Sequence, residues 1–491
     1  MLKLIAFATL SVSVLGAQSR PTNAEVQNPQ IHAFMTRAAQ YGQFNGAILV
    51  IDAGQRVYQG AFGWADMEWQ TPLTTDTRFE IASMTKPMTA IAILQLVQEG
   101  KIRLDGRVSD YVPYYPAETG NRITVRQLLD HTSGLAQDIA FDEPSPGAEV
   151  VAAINADLLS NDSLVKLIAR RPLRFEPGTS YGYSSDGYAV LGAIIEHVTG
   201  RRYWDALRER VLDRVGMTET GVSVLRPLVT KRAAGYAQTF DGFENAPHIG
   251  VSPAGGLYST LRDLYRFDQA LYGDTLVNEQ SKQLLFGLRT AITAYGWKTS
   301  EDTLPNGTRR RVLRTTGGLP GFAALMVRIP QARRTIILLS NTRDMVWRFD
   351  DFAVAISHIL DGLHYAMPRR SAAGGIAAAL KTGATGSQLA SRFRAMRADS
   401  AHFAVSESEL NRLGYYLLHQ RRTPLRAIEV FQLNVAAFPA SANVYDSLGE
   451  AYLQNGDTAS AVSNYRRSLD LDPNNRNAVD VLKSLGVQSR P

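Results

Sequence analysis

The chain has 491 residues, of which 45% are hydrophobic and 20% charged, and its formal net charge is +6. This composition is typical of globular proteins and excludes wholesale disorder and collagen-like repetition, while the length suggests about two to four domains. The absence of cysteine excludes disulfides, thiolate-bound metals and thiol nucleophiles. The basic residues are scattered, and the eight histidines form no His-x-His or His-Glu-x-x-His pair. Nucleic-acid binding and a metal site therefore have little support.

The first 17 residues are typical of a cleavable export signal. Lys3 is followed by an apolar run over 4–15 and then by the small residues Gly16 and Ala17. As a helix, this run is too short to span a bilayer core of about 30 Å, so an uncleaved anchor is the less favoured alternative. We expect residues 1–17 to be removed and the mature chain, which has no later membrane-spanning stretch, to be periplasmic or secreted.

Three elements are predicted in the next part of the chain. Apolar residues recur with helical spacing over 28–42. Two apolar runs, 46–51 and 57–64, then flank a short turn that contains glycine, which predicts a β-hairpin. A second helix is expected over 83–100, because its apolar stretch ends at a glycine suited to a helix C-terminus.

Strand character returns late in the chain. The middle, about 105–290, is predicted to be mostly helical, whereas 310–314, 322–329 and 335–339 indicate three adjacent antiparallel strands. We therefore predict an α+β domain over 28–366, in which an antiparallel sheet is flanked by helices and a helical lobe is inserted between the two halves of the sheet. The early hairpin and the late strands can share one sheet only if the two ends of this domain meet in space.

The composition changes after the predicted α+β domain. Residues 367–404 are rich in glycine, alanine and serine, which predicts a linker with one helical piece. The remainder, 405–488, is predicted to be all-helical and to contain a repeat.

The repeat has a period of about 34 residues. Ala427 recurs at Ala461 and Pro439 at Pro473, both at an offset of 34, and a Leu-Gly pair also recurs. This period, with small residues, aromatic residues and a closing proline, is the signature of tetratricopeptide helix pairs. Two repeats with a capping helix after them suggest either a groove for a protein partner or a brace for the larger domain.

Ser83 and Lys86 are the first candidates for chemistry. They stand three residues apart in the segment FEIASMTKP, at the start of a predicted helix. Residues at i and i+3 share a helix face, so the hydroxyl and the amine can meet, and the free N–H groups of a helix N-terminus favour a developing oxyanion. Alone the pattern is weak, because an exposed cap followed by a solvated lysine has the same spacing.

Further segments give this pattern a context. PGTSYGYSSDGY, over 177–188, precedes a predicted helix, and TTGGLPGF, over 315–322, joins two late strands. With the segments at 123–135 and 253–260, their order makes the chain resemble the serine β-lactamase and penicillin-binding-protein superfamily, above all class C β-lactamases and family VIII esterases. The resemblance covers about residues 30–365 and implies a serine hydrolase that needs no metal and no organic cofactor.

The resemblance also implies roles for individual residues. Ser83 corresponds to the nucleophile that accepts the acyl group, Lys86 to its co-base, and Tyr183 to the tyrosine that exchanges protons with the nucleophile and the leaving group. The backbone N–H groups of Ser83 and Gly318 correspond to the oxyanion hole. A serine hydroxyl needs a neighbouring base, and the sequence leaves open whether Lys86 or Tyr183 is that base.

The residues expected to bind substrate depart from the family pattern. Ser185 stands where the family has asparagine, and Thr315, followed by Thr316 and Gly317, stands where the third motif begins with lysine or histidine. Thr315 offers a substrate carboxylate only a neutral hydrogen bond, and charge-assisted bonds are about twice as strong. We therefore expect an ester or amide without that carboxylate to be a better substrate than a β-lactam or a D-Ala-D-Ala peptide.

Three functions follow from these patterns. The leading one is an exported serine hydrolase, esterase- or peptidase-like, that acts on a small molecule or a peptide. The alternatives are a β-lactamase or D-Ala-D-Ala carboxypeptidase, and a catalytically silent module that binds a partner through its repeats. His131, in the segment HTSG, is interpreted as a structural hydrogen-bonding residue, because the nucleophile already has two candidate neighbours.

Overall fold

The computed structural model describes residues 22–26, 28–140, 148–156, 159–287, 293–342 and 346–488. The predicted export signal at 1–17 lies outside the described residues. Two compact units are present. The first comprises the described residues up to Ala237 and those from Asn245 to Tyr365, and the second comprises Gln238–Glu244 and the described residues from Ala366 onward.

Most strands are short, and only those of one large sheet exceed four residues. The described residues form the strands β1 (Thr22–Val26), β2 (Gly46–Asp52), β3 (Gln55–Phe62), β4 (Trp64–Asp66), β5 (Thr71–Pro72), β6 (Phe79–Glu80), β7 (Gly221–Val222), β8 (Tyr236–Thr239), β9 (Gly242–Asn245), β10 (Leu257–Ser259), β11 (Lys298–Thr303), β12 (Arg309–Leu319), β13 (Phe322–Ile329), β14 (Arg334–Ser340), β15 (Arg370–Ser371) and β16 (Phe403–Ala404).

Helices make up the middle of the first unit and most of the second. The described residues form the α-helices α1 (Pro29–Gln40), α2 (Lys86–Gln98), α3 (Val108–Tyr111), α4 (Ala117–Gly120), α5 (Val125–Leu129), α6 (Ala148–Asn155), α7 (Asn161–Ile168), α8 (Ser185–Thr199), α9 (Tyr203–Leu207), α10 (Leu261–Ala270), α11 (Glu279–Phe286), α12 (Val346–Leu360), α13 (Ala372–Lys381), α14 (Gly386–Ala398), α15 (Glu407–Tyr415), α16 (Pro424–Ala437), α17 (Ala442–Gln454), α18 (Thr458–Leu471) and α19 (Arg476–Ser484). None of these is long and apolar enough to cross a membrane, a finding that covers only the residues described.

The first unit is organised around an antiparallel sheet whose strand order is β1-β3-β2-β14-β13-β12-β11. The early strand β2 pairs with the late strand β14, and Gly46 lies opposite Ser340. The two ends of the predicted domain therefore meet in one sheet. This pairing confirms the α+β class, with the helical lobe inserted between the early and late strands.

Helices cover both faces of this sheet, and β13 and β14 are buried along their whole length. Alternate residues of a strand point to opposite faces. Ala47, Leu49 and Ile51 of β2 accordingly join the core cluster that also contains residues of α2 and α10. The other face is covered by α1 and α12, where the rings of Phe34 and Phe352 meet edge to face with centroids 5.5 Å apart.

Two buried helices of the lobe hold the segments that carry the candidate residues. α2 is mostly apolar and is buried from Lys86 to Leu96, as expected of a helix inside a core. It packs against α8. α8 begins just after Tyr183, and Ser184 caps it by accepting the backbone N–H of Gly187 at 2.9 Å. Packing of these two helices therefore fixes both segments relative to each other.

In the second unit, residues 367–404 differ from the predicted linker with one helical piece, because they form two helices, α13 and α14. Their apolar side chains, among them Ile376 and Phe393, are buried in one core. Gly375 of α13 lies so close to Met396 of α14 that an added Cβ would be 2.5 Å from the methionine sulfur. The small residues that suggested a linker instead allow two helices to approach each other.

The remaining helices of the second unit are α15 to α19, and α15 continues as a π-helix over Tyr416–Gln420 before the turn to α16. Gly414 of α15 faces the ring of Phe431 in α16, and Gly449 of α17 faces the ring of Tyr465 in α18. The helical character of 405–488 agrees with the sequence, whereas the assignment to tetratricopeptide repeats stays a prediction.

Candidate active site

Ser83 lies in a tight turn between β6 and α2. Residues Ala82–Thr85 form a 3₁₀ turn, and the α-helix begins only at Lys86, three residues later than the sequence predicts. Ala82 has a φ of 46°, a region that residues with a Cβ rarely adopt. Backbone strain of this kind persists where the surrounding structure enforces it, which is frequent at functional sites.

Lys86 is buried against this turn, with a relative exposure of 1%. Its Nζ donates to Ser83 Oγ at 3.0 Å and to the backbone carbonyl of Ala254 at 2.9 Å. A longer contact, 3.5 Å, joins Nζ to Ser185 Oγ. The amine is therefore held beside the serine hydroxyl from three directions.

Tyr183 reaches the same hydroxyl from the helical lobe. Its OH donates to Ser83 Oγ at 2.9 Å, although 100 residues separate the two along the chain. The Lys86 Nζ lies 4.9 Å from the centroid of the Tyr183 ring. The structure thus places the amine of Lys86 and the phenol of Tyr183 within hydrogen-bond distance of the Ser83 hydroxyl oxygen.

The ring of His131 packs against the ring of Tyr183. It is fully buried, and its ring centroid lies 4.5 Å from that of Tyr183. The His131 Nδ1 accepts the backbone N–H of Ser184 at 3.1 Å, and the backbone carbonyl of His131 accepts the N–H of Gly182 at 2.9 Å. Burial and the positive charge of Lys86 lower the pKa of His131 to about 3. His131 therefore holds the backbone on both sides of the phenol, through its neutral imidazole at Ser184 and through its backbone carbonyl at Gly182.

Strand β12 forms the opposite wall. Gly317 packs so closely on the turn before Ser83 that an added Cβ would lie 2.0 Å from the carbonyl oxygen of Ile81. This approach brings Gly318 to a cavity of about 290 Å³ that Ser83, Lys86 and Tyr183 also line. Backbone N–H groups near a serine nucleophile are suited to stabilising an oxyanion.

The predicted substrate-binding residues are divided between this cavity and its surroundings. Thr315 and Thr316 line it, whereas Gly317 packs beneath and Ser185 touches Lys86 without lining the cavity. The Thr315 Oγ1 is buried and has no hydrogen-bond partner among the described residues. Thr316 is exposed.

The sequence reasoning missed three charged residues of the cavity, Lys298, Arg314 and Asp350. Arg314 directly precedes the TTGG segment, and this adjacency was the only signal available for it. Lys298 reaches the cavity because β11 pairs with β12, and Asp350 does so from α12. Pairing and packing over such distances leave no mark in the local sequence.

Comparison with known proteins identifies the family. The family described as Beta-lactamase matches this sequence over residues 31–358. The chain belongs to the β-lactamase family. It is 31% identical over 355 residues to penicillin-binding protein 4* of Bacillus subtilis (strain 168), and the alignment covers 67% of this chain and 75% of that relative.

Solved structures agree with this membership in the β-lactamase family. A penicillin-binding protein from Bacillus halodurans is 26% identical with a TM-score of 0.58, over 68% of this chain and 99% of its own. The D-amino acid amidase from Ochrobactrum anthropi SV3 is 25% identical with a TM-score of 0.53, over 63% of this chain and 91% of its own. This member of the β-lactamase family is a serine hydrolase, and the family match ends before Ala366, where the larger part of the second unit begins.

Proposed function

We propose that this protein hydrolyses an ester or an amide through an acyl intermediate on Ser83. The observation that carries the proposal is the position of Ser83 Oγ, which is 3.0 Å from Lys86 Nζ and 2.9 Å from the Tyr183 OH. Both neighbours can exchange a proton with the serine, as an activated nucleophile requires. Lys86 is buried, so its place beside Ser83 is held by packing as well as by hydrogen bonds.

The proposed reaction has two steps. Ser83 Oγ attacks the carbonyl carbon while its proton passes to Tyr183 or Lys86, and the same proton then goes to the departing alcohol or amine. In the second step water attacks the carbonyl carbon of the acyl-serine. Its OH becomes part of the released acid, and its other proton passes to Ser83 Oγ. The choice between Tyr183 and Lys86 as the first proton acceptor stays open, because each is within hydrogen-bond distance of the serine.

The negative charge on the carbonyl oxygen needs donors during both steps. We assign this role to the backbone N–H groups of Ser83 and Gly318. The close packing of Gly317 on Ile81 supports the assignment, because it holds β12 against the turn that carries Ser83. Removing one such donor typically costs about 10²–10³ in turnover.

The proposed substrate lacks a carboxylate next to the scissile bond. Thr315 supplies no charge at the position where the family has a cation, and Ser185 is shorter than the usual asparagine. A β-lactamase or D-Ala-D-Ala carboxypeptidase is the second candidate, and the similarity to the Bacillus penicillin-binding proteins favours it. The similarity to a D-amino acid amidase favours an amide among the first class of substrates.

The remaining parts of the chain have proposed roles of their own. Residues 1–17 are an export signal that directs the hydrolase to the periplasm or out of the cell. Residues 405–488 are tetratricopeptide-type helix pairs with a capping helix, and they bind a protein or peptide partner or brace the larger domain. The pairs Gly414–Phe431 and Gly449–Tyr465 support this, because the same glycine–aromatic contact recurs one repeat apart.

Labelling with a fluorophosphonate or a penicillin probe tests the hydrolase proposal. We expect the wild-type protein to be labelled and Ser83→Ala to lose both labelling and nitrophenyl-ester hydrolysis, by a factor of about 10⁴ or more. Ser408→Ala, at an exposed serine of the second unit, is the matched control and should behave as wild type. Failure of the wild type to react with either probe would refute the proposal.

The same preparation distinguishes the two substrate classes. Turnover of a short nitrophenyl ester should exceed that of a cephalosporin, because Thr315 cannot form an ion pair with the cephalosporin carboxylate. Faster turnover of the cephalosporin would replace the esterase or amidase assignment with the second candidate.

A further inference from the structure

Two cations stand side by side at one end of the candidate active site. Lys298 and Arg314 both line the cavity that contains Ser83. They are direct partners in the antiparallel pairing of β11 with β12. Side chains of paired residues project from the same face of a sheet, with Cβ atoms about 5 Å apart. The ammonium and the guanidinium can therefore contact a single group.

The pair marks the point where β12 becomes an open edge. Lys298 is the first residue of β11, so β11 pairs with β12 only as far as Arg314. Residues 315–319 continue as strand, and within the described chain no strand pairs with them on that side. An extended substrate can pair with such an edge. From Gly318 to Arg314 this edge spans four residues, or about 13 Å at about 3.3 Å per residue.

The charges at this end do not cancel. The Arg314 Nε lies 3.6 Å from Asp350 Oδ1, is buried, and has no hydrogen-bond partner among the described residues. Asp350 itself is 58% exposed. For Lys298 the described residues provide no ion pair. Among the described residues at this end, one acidic group thus faces two basic ones, which leaves an excess of positive charge.

We propose that Lys298 and Arg314 bind a carboxylate of the substrate that lies about 13 Å along this edge from the scissile carbonyl. This inference rests on the proposed function, since it assigns the substrate class of the same site. It is consistent with Thr315, which carries no charge, since the two cations stand at the end of the open edge where β12 begins to pair with β11. The enzyme then favours substrates whose acidic group is remote from the bond that is cleaved.

Matched pairs of esters test this. One member is the mono-nitrophenyl ester of a dicarboxylic acid, and the other is the uncharged ester of equal chain length. With long chains we expect the wild type to have a kcat/KM about tenfold higher for the acidic member, mainly through KM. The preference should vanish for short chains and weaken as salt is raised. A second series, with the acid on the alcohol side of the ester, covers the opposite orientation of the substrate.

Variants separate binding from a structural role. Lys298→Gln and Arg314→Gln should bring the ratio of acidic to uncharged ester close to one, and Lys298→Arg should retain it. Asp350→Asn should raise the ratio, because it removes the carboxylate that competes for Arg314. Arg309→Gln is the matched control, since Arg309 lies at the far end of β12, exposed and paired with Glu301.

The outcomes are distinct from those of the hydrolase test. If uncharged esters are hydrolysed through Ser83 but neither series shows a preference that Lys298→Gln removes, this inference is wrong and the proposed function stands. If Ser83 reacts with no probe and no ester is hydrolysed, the proposed function is wrong and this inference falls with it. An increase in the ratio for Asp350→Asn together with a decrease for Lys298→Gln supports it.

Discussion

The ring of His131 lies between the candidate site and the core, and its chemistry follows from that position. Burial and the nearby positive charge of Lys86 lower its pKa to about 3, and its Nδ1 accepts a backbone hydrogen bond from Ser184. A protonated ring could not accept that bond. His131 is therefore a positioning residue that remains neutral over the pH range in which a free histidine would become charged.

This shift predicts a pH dependence of stability. In the unfolded chain the histidine binds a proton below about pH 6.5, whereas in the folded chain it does so only near pH 3. The unfolded state therefore binds more protons between these values, and the free energy of unfolding decreases as the pH falls below 6.5. One such group contributes a slope of up to about 1.4 kcal/mol per pH unit.

Denaturant unfolding at pH 7 and pH 5 measures this contribution. Between pH 7 and pH 5 the free energy of unfolding should fall by about 2 kcal/mol less in His131→Gln than in the wild type, whatever the stability of the variant at pH 7. The control is His402→Gln, at an exposed histidine of the second unit. Equal pH dependence in the wild type and His131→Gln would show that His131 is protonated in the folded state.

At the level of elements, the contact between β12 and the Ser83 turn decides the geometry of the site. The sequence predicts a strand over 310–314, whereas β12 continues to Leu319. Threonine and glycine residues give the extension little strand propensity by themselves. Pairing with β13, where Gly318 lies opposite Ala323, supplies the missing stabilisation. Local sequence therefore located this strand but not its functional half.

Gly317→Ala tests the importance of this contact. The new Cβ would lie 2.0 Å from the Ile81 oxygen, so β12 must move away from the turn. We expect ester hydrolysis to fall by about 100-fold or more, because a displacement of about 1 Å at reacting groups has effects of that size. Gly273→Ala, where an added Cβ meets no atom within 4 Å, is the control. Unchanged turnover in Gly317→Ala would refute a role for this contact.

On the scale of the whole molecule, the chain divides into two units, and the second has its own cores. The sequence predicts the position of the change at 366–367 but takes the following segment for a linker. Alanine and glycine are frequent both in linkers and in closely packed helices, so composition does not separate these cases. The approach of Gly375 to Met396 is visible only when α13 and α14 are seen together.

The two glycines of the predicted repeat should respond differently to substitution. An added Cβ at Gly414 would lie 2.4 Å from the Phe431 ring, whereas at Gly449 the nearest atom of Tyr465 is 3.2 Å away. Gly414→Ala should destabilise the second unit by about 1–3 kcal/mol through overpacking. In Gly449→Ala the gain in helix propensity, up to about 1 kcal/mol, offsets the tighter contact. Hydrogen exchange of α15 to α18 measures the change in stability caused by each substitution. Equal destabilisation by the two substitutions would contradict the prediction.

The sequence by itself indicated the class of chemistry, because the order of its short motifs makes the chain resemble the serine β-lactamase and penicillin-binding-protein superfamily, and that resemblance implies a serine hydrolase. It also determined the antiparallel strands, since their apolar runs are local signals. Only the tertiary structure decided that Tyr183 meets Ser83 across 100 residues, and that Lys298 stands beside Arg314 at the cavity. Such contacts depend on strand register and helix packing, which are set by the whole core and not by the residues on either side.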